Sequence, residues 1–471
     1  MRLPSALLGG TTAFSYFVPQ ACAAARCPTL YLLHGFGGDY TEMLGTAGSP
    51  SAWVAALSSG PPVDPHAVLD PWDYSDPAGW APLPPIDFIL VAPHGRTLAG
   101  GYGPAGDLDS FWADWNPRLA KGGDSSTYDT PPPRFESFIL QELIPFIEGN
   151  FPAGSGREWR ALAGTSLGGY GSYKNGLQHP DVWSSMGSVS GAHNFLFAPV
   201  PDPVNVASPV SLSPPVALPY HPLPSLLSQA PLLPAPLTGF GVALVALGDP
   251  VGDQAFFRGN MPRDLAMNGR ASAGGQASLY IRGFVNDMVA RRAADYEDPS
   301  SLAGEQAFEM IVFPMNVEME LAFLSQQVEN EFEIHPGVHS GTYWNAFLRG
   351  QVAAQYDHVR HSDGSGSPPP SPTAFDYRSI RTDFSIWGWS FHVERQPVEF
   401  LNLRDVSCDH VMLQGTGTVT VTVPASCGTG FEGNAVFGVD LGNSYPTDEP
   451  AGASAAPPYG KTVEVTLTPL G

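Results

Sequence analysis

The chain has 471 residues, more than one ordinary domain needs, and 43% of them are hydrophobic, enough for a sizeable core. A net charge of −23, with three lysines and 19 arginines against 45 acidic residues, argues against nucleic acid or an anionic membrane as partner. No run of about 18 apolar residues occurs, so no membrane span is expected. At the N-terminus, Met1-Arg2 and the Ala-Cys-Ala-Ala-Ala stretch at 21–25 imitate a signal peptide. Pro4, Gly9-Gly10, Thr11-Thr12 and Pro19 interrupt it, and residues 11–18 read instead as a first strand. Cys22/Cys27 and Cys408/Cys427 form two local pairs, which predicts two disulfides and a secreted protein in an oxidising compartment.

Over roughly the first 355 residues apolar strands alternate with helical stretches, the pattern of an α/β fold with a mainly parallel sheet. Leu30 to Leu33 is a buried strand ending at His34-Gly35, and Phe88 to Ala92 is another. Phe135, Phe138, Ile139, Leu143 and Ile147 recur at helical spacing, so a helix is predicted from Phe135 to Phe151. Arg160 to Ala163 is a strand, Leu167 to Gln178 a helix and Met186 to Ser190 the next strand; Ser278 to Arg282 and Glu331 to His335 follow. Residues 199–237 hold twelve prolines, which deny both helix and sheet, and read as an insertion in a crossover connection.

Residues 359–373, rich in Ser, Gly and Pro, read as a linker between a first domain at 1–358, which holds the α/β pattern, and a second domain at 374–471. The pattern there changes to period two: Thr418 to Val423 and Lys461 to Leu467 alternate, and Trp387, Trp389, Phe391 and Val393 line one face of a strand. This predicts an antiparallel β-sandwich. The two tryptophans leave open a glycan or cell-surface contact as well as a place in the core.

Gly164-Thr165-Ser166-Leu167-Gly168 fits G-x-S-x-G, a sharp strand-to-helix turn that presents a serine hydroxyl above the end of a parallel sheet. A serine hydroxyl needs a base and oxyanion donors to act as a nucleophile. His339, after the last predicted strand and before Tyr343-Trp344, is the expected base; His335 is the rival but falls within the strand. The two oxyanion donors are expected from the amides of Leu167 and Phe36, with Gly37 and Gly38 letting the second loop approach the substrate. For the acid, Asp249, Asp287 and Glu309 all lie between serine and histidine, and spacing weighs Asp287 and Glu309 about equally.

Three segments together resemble the mycolyltransferase-like esterases, a branch of the α/β-hydrolases: Tyr31 to Gly35, Gly164 to Gly169, and Pro336 to Ser340 with Tyr343-Trp344. The resemblance covers about residues 10–355. It implies an α/β-hydrolase fold and a glutamate acid on a helix about thirty residues before the histidine and seven before an Asn or Thr. Glu309 stands thirty before His339 and seven before Asn316, so it matches, and Asn260 to Ala266 resembles the segment before the penultimate strand, leaving Asp249 in a connection. His34-Gly35-Phe36 stands where mycolyl-transferring members carry Asp-Gly-Leu, and Gly341 where they carry Trp, so the resemblance implies ester hydrolysis rather than mycolyl transfer.

The expected function is therefore that of a serine carboxylesterase acting on short- to medium-chain acyl esters through an acyl-enzyme. The alternatives are acyl transfer to a sugar or lipid alcohol, and a surface-binding protein with a vestigial hydrolase fold. Asp107, Asp109 and Asp114 with Trp112 and Trp115 could rim the pocket; they lack EF-hand spacing, and no metal or other cofactor is expected.

Overall fold

The computed structural model describes residues 1–46, 49–50, 54, 86–97, 109–116, 132–194, 246–247, 254–266, 282–289, 302–328, 330–363, 372–395, 398–442 and 461–470. The proline-rich stretch at 199–237, Asp107 and Asp249 lie outside them. In chain order the first part contains β1 (Arg2–Ser5), β2 (Gly10–Phe17), β3 (Thr29–Leu33) and β4 (Ile89–Pro93). A helical segment over 135–150 (α1, with a π turn at Ile139–Leu143) leads to β5 (Arg160–Thr165) and α2 (Leu167–Gln178). Then come β6 (Ser185–Val189), α3 (Gln254–Arg258), α4 (Pro262–Ala266), β7 (Arg282–Val289), α5 (Leu302–Gln326), β8 (Asn330–Pro336) and α6 (Gly341–Asp363).

The eight strands make one mixed sheet in the order β1-β2-β4-β3-β5-β6-β7-β8. β2 runs antiparallel to β1 and β4, and every other neighbouring pair is parallel. Alternating side chains of the central strands enter opposite apolar layers. Tyr31, Leu33, Ile89 and Val91 pack with Phe135, Phe138, Ile147 and Leu177 of α1 and α2 on one face. Leu30, Leu32, Leu90 and Ala92 pack with Phe347, Leu348 and Val352 of α6 on the other. Among the described residues no helix is long and apolar enough to cross a membrane.

Three expectations are corrected here. The strand expected at Ser278–Arg282 is β7, Arg282–Val289, so Asp287 lies inside a strand, opposite Ile334, rather than in a loop after one. Hydrogen-bonded pairing on both sides of β7, to β6 and to β8, fixes that register. Residues 359–363, expected in a linker, belong instead to α6, which continues to Asp363, and Val359 is fully buried in the apolar layer. Trp387 is not on a strand. It and Gly388 form the two-residue turn between paired Ile386 and Trp389, with φ of +51° and +83°.

The C-terminal part holds two four-stranded antiparallel sheets. One is built from β9 (Ala374–Ser379), β12 (Leu401–Ser407), β13 (His410–Gly415) and β16 (Lys461–Thr466). The other has β10 (Asp383–Ile386), β11 (Trp389–Glu394), β14 (Thr418–Thr422) and β15 (Val436–Asp440). Inward side chains of both, among them Leu403, Leu413, Phe391 and Val421, form one apolar cluster. Both cysteine pairs are joined as disulfides.

The second part docks on the first through polar groups. Tyr377 OH donates to the Gln178 carbonyl at 2.7 Å, and the Trp387 amide donates to Asp181 at 3.3 Å. The Arg157 guanidinium lies 5.4 Å from the centre of the Trp387 ring. Arg381 reaches the buried carboxylate of Glu136, which also holds Lys174 and His179.

Candidate active site

Ser166 sits between β5 and α2 with φ +51° and ψ −117°, a region that L-residues occupy only under constraint. Its amide donates to the Val189 carbonyl at 2.9 Å, which helps hold the turn. The turn is crowded on the far side as well. A methyl group on Gly168 would run into the Leu33 and His34 carbonyls, so only glycine lets the first turn of α2 close onto β3.

Ser166 Oγ lies 2.8 Å from His339 Nε2. His339 comes from the short connection between β8 and α6, which brings residues 173 positions apart in sequence into hydrogen-bond contact. Its Nδ1 is 2.9 Å from Glu309 Oε2, so Nδ1 carries the proton and Nε2 is left as acceptor for the serine hydroxyl. Glu309, on α5, is 3% exposed, and the His339 side chain 8%. The Trp344 and His339 rings stand perpendicular, 4.9 Å between centres. His335, the rival base, turns elsewhere: it stacks on Phe347 at 4.1 Å and pairs with Glu333.

Ser190 was not legible as a site residue from sequence. It donates through Oγ to Glu309 Oε2 at 2.6 Å. It follows β6 directly, where a polar residue at a strand end carries no special mark.

The loop after β3 adjoins the serine. A Cβ placed on Gly35 would stand 3.5 Å from Ser166 Cβ. Gly37 has φ +75°, which favours glycine, while the Phe36 side chain is 46% exposed at the rim. Neither the Phe36 nor the Leu167 amide has a hydrogen-bond acceptor among the described residues. Leu167 opens α2, so its amide carries the positive end of the helix dipole.

His34 supports this loop from below. It is buried, and burial lowers its imidazole to about 4, so it is neutral. Nδ1 donates to the Gly35 carbonyl at 2.8 Å and Nε2 accepts the Gly95 amide at 2.9 Å. Trp112 packs edge-on at 4.9 Å and its indole N–H donates to the His34 carbonyl at 3.3 Å. Of the acidic residues expected at the rim, Asp109 is buried and accepts the Gly37 amide, and Asp114 accepts from Ser137 and pairs with Arg134 and Arg381. Partial desolvation raises the Glu42 carboxyl, and burial the Asp109 carboxyl, from their ordinary values.

The arrangement can generate a nucleophilic oxygen at Ser166, accept its proton at His339 and offer two amides to an oxyanion. The family model described as "Putative esterase" matches residues 102–217, the segment that carries Ser166. That match agrees with the resemblance read from the motifs. The chain is 34% identical over 79 residues to "Esterase Rv1288" of Mycobacterium tuberculosis (strain ATCC 25618 / H37Rv), which is 16% of this chain and 17% of that protein. It thus spans about a sixth of the length of the curated relatives it matches. Among solved structures, it is similar to one titled "ferulic acid esterase" with TM-score 0.44 and 16% identity, covering 76% of this chain and 96% of that one. An S-formylglutathione hydrolase from Agrobacterium tumefaciens aligns with TM-score 0.45 and 14% identity, covering 76% and 93% of the two chains.

Proposed function

We propose that this protein, which carries the segment of the esterase family over residues 102–217, is a serine carboxylic ester hydrolase acting on short- to medium-chain acyl esters. The observation that carries the reading is the continuous relay from Ser166 Oγ through His339 to Glu309, at 2.8 and 2.9 Å, beside two amides without an acceptor among the described residues.

In this reading Ser166 Oγ attacks the ester carbonyl while its proton passes to His339 Nε2. The carbonyl oxygen becomes an oxyanion held by the Phe36 and Leu167 amides. Glu309 keeps the imidazole in its Nδ1–H tautomer and stabilises the cation. The C–O bond to the alcohol then breaks, His339 returns its proton to the leaving oxygen, and an acyl group remains on Ser166. A water molecule, deprotonated by His339, attacks that acyl group; the C–O bond to Ser166 breaks, His339 passes the proton to Ser166 Oγ, and the carboxylic acid leaves.

Residues 1–363 are read as the catalytic domain and 374–471 as an accessory β-sandwich; the separate apolar cluster between the two antiparallel sheets supports this division. Two disulfides support an extracellular location. A glycan-binding role for the accessory domain gains nothing from its tryptophans: Trp389 is 3% exposed in the core, and Trp387 faces Arg157.

The test is a chain-length series of nitrophenyl esters on the wild-type protein and on Ser166→Ala. Turnover by the wild type and a loss of at least about 10³ in the variant, with unfolding temperature retained, is the expected result. Turnover retained by a folded Ser166→Ala protein removes the proposal.

A further inference from the structure

The amides on either side of Phe36 are each taken by a carboxylate, one from Glu42 on the exposed side of the loop and one from buried Asp109. Gly35 N–H donates to Glu42 Oε1 at 3.1 Å, and Gly37 N–H donates to Asp109 Oδ1 at 3.0 Å. Only the Phe36 amide, between them, is left without an acceptor among the described residues. Glu42 Oε1 also receives the Thr165 hydroxyl at 3.4 Å, and Thr165 is the residue before the serine. One carboxylate thus ties the loop after β3 to the turn that carries Ser166. Gly38 is accommodated to it, because a Cβ there would run into the Glu42 carboxyl. Asp109 is 4% exposed and belongs to the segment that places Trp112 under His34.

Burying a carboxylate, as at Asp109, is costly, and a simple surface turn does not need one. What a carboxylate supplies is a charge-assisted bond to an N–H, roughly twice as strong as a neutral one. Oxyanion stabilisation depends on donors that already point at the developing charge, because reorganising them during the reaction forfeits the gain. We propose that Glu42 and Asp109 are positioning residues for the oxyanion hole, fixing the Gly35 and Gly37 amides so that the intervening Phe36 N–H faces the carbonyl attacked by Ser166. This inference rests on the esterase reading given above.

The experiment compares Glu42→Ala and Asp109→Ala with Glu42→Gln and Asp109→Asn in the full chain. It uses a nitrophenyl ester and a trifluoromethyl ketone, whose adduct with the serine places an oxyanion in the same site. Each alanine variant is expected to lose about 10–100-fold in kcat, short of the 10²–10³ seen when a donor is removed outright, with KM within about threefold. Ketone affinity should fall in proportion to kcat/KM. The amide variants keep an acceptor oxygen and should recover kcat to within about fivefold of wild type. Where an alanine variant does not fold, Glu42→Asp and Asp109→Ser, which keep an oxygen but shorten its reach, are measured in its place with the same expectation. Folded variants with unchanged kcat overturn the proposal, as does a loss of kcat with unchanged ketone affinity. A wild-type protein without Ser166-dependent turnover would fail the esterase reading itself, so the two failures are told apart on the wild type and Ser166→Ala alone.

Discussion

Ser190 donates its hydroxyl to Glu309 Oε2, the same oxygen that receives the His339 ring N–H. The carboxylate is therefore held from two sides, and its position fixes that of the imidazole. Glu309→Gln presents an amide where a carboxylate should accept, so the imidazole loses both its orientation and its counter-charge. A fall in kcat of about 10³–10⁴ is expected, against less than twofold for Asp287→Asn, whose residue lies within β7. Ser190→Ala should lower kcat by a smaller factor, about 3–10-fold, since one neutral hydrogen bond is removed. Steady-state kinetics on the three variants decides this; equal losses for Glu309→Gln and Asp287→Asn would contradict the assignment of the acid.

The backbone at Ser166 holds a second expectation. Its φ of +51° with ψ −117° costs about 1–3 kcal/mol for any residue with a Cβ. Glycine takes this conformation without that penalty. Ser166→Gly should therefore be inactive and yet unfold about 2–4 °C higher than Ser166→Ala. Thermal unfolding of the two inactive variants side by side measures the strain directly. A Ser166→Gly protein that melts lower than Ser166→Ala would show that the turn is not strained.

Local pattern carried much of this site. Helix α2 begins and ends at the residues expected from the sequence, Leu167 and Gln178, because the nucleophile turn and its small residues are encoded within a few positions. The sequence also singles out Ser166, His339 and Glu309, the last only through a family resemblance, and their side chains meet in one hydrogen-bonded chain. The places of Asp109 and Ser190 are not legible in the sequence, and the reason is physical. Asp109 meets an amide 72 positions away and Ser190 a carboxylate 119 positions away. Such contacts exist only after the strands have paired, and no local spacing records them. Trp387 was misread for the opposite reason. Alternation with Trp389 and Phe391 suggested a strand, but Trp387-Gly388 is the pair that turns the hairpin.

Two buried histidines set how stability responds to acid. Burial lowers His34 to about 4 and His193 to about 3. In the unfolded chain both titrate near pH 6.5. Below that value the unfolded state takes up protons that the folded state refuses, so their contribution is complete above about pH 6.5 and declines as pH falls toward 4. For His34 alone the loss reaches about 3 kcal/mol by pH 4. Glu42 and Asp109, raised by desolvation, act in the opposite sense, since the folded state holds their protons more tightly; they offset part of the decline. The unfolding temperature should accordingly drop between pH 6.5 and 4 at constant ionic strength. A flat profile across that interval would contradict the neutral, buried setting of the two rings.

Arg381 tests how far the C-terminal part is bound to the catalytic one. Glu136, on α1, is fully buried in the company of Lys174, His179 and Arg381, and only Arg381 comes from beyond residue 372. Burial by itself would raise the Glu136 carboxyl; Arg381, then Lys174 and His179, overcome this and hold it well below the usual range. The charge is thus kept ionised by a side chain from the other part of the molecule. Arg381 also pairs with Asp114 at 3.2 Å, so its removal leaves two carboxylates short of a partner. Taking one member from a buried ionic group typically costs about 3–5 kcal/mol. The Arg381 side chain is 26% exposed, which puts the expected loss for Arg381→Ala at about 3 kcal/mol. Arg381→Lys keeps the charge but not the fork that reaches both Glu136 and Asp114, and should recover only part of the loss. Denaturant unfolding followed by far- and near-UV circular dichroism reads this. A single shifted transition would mean that the two parts unfold together, joined by this cluster. An unchanged midpoint in Arg381→Ala would mean that the docking is held elsewhere, through Tyr377 and Trp387.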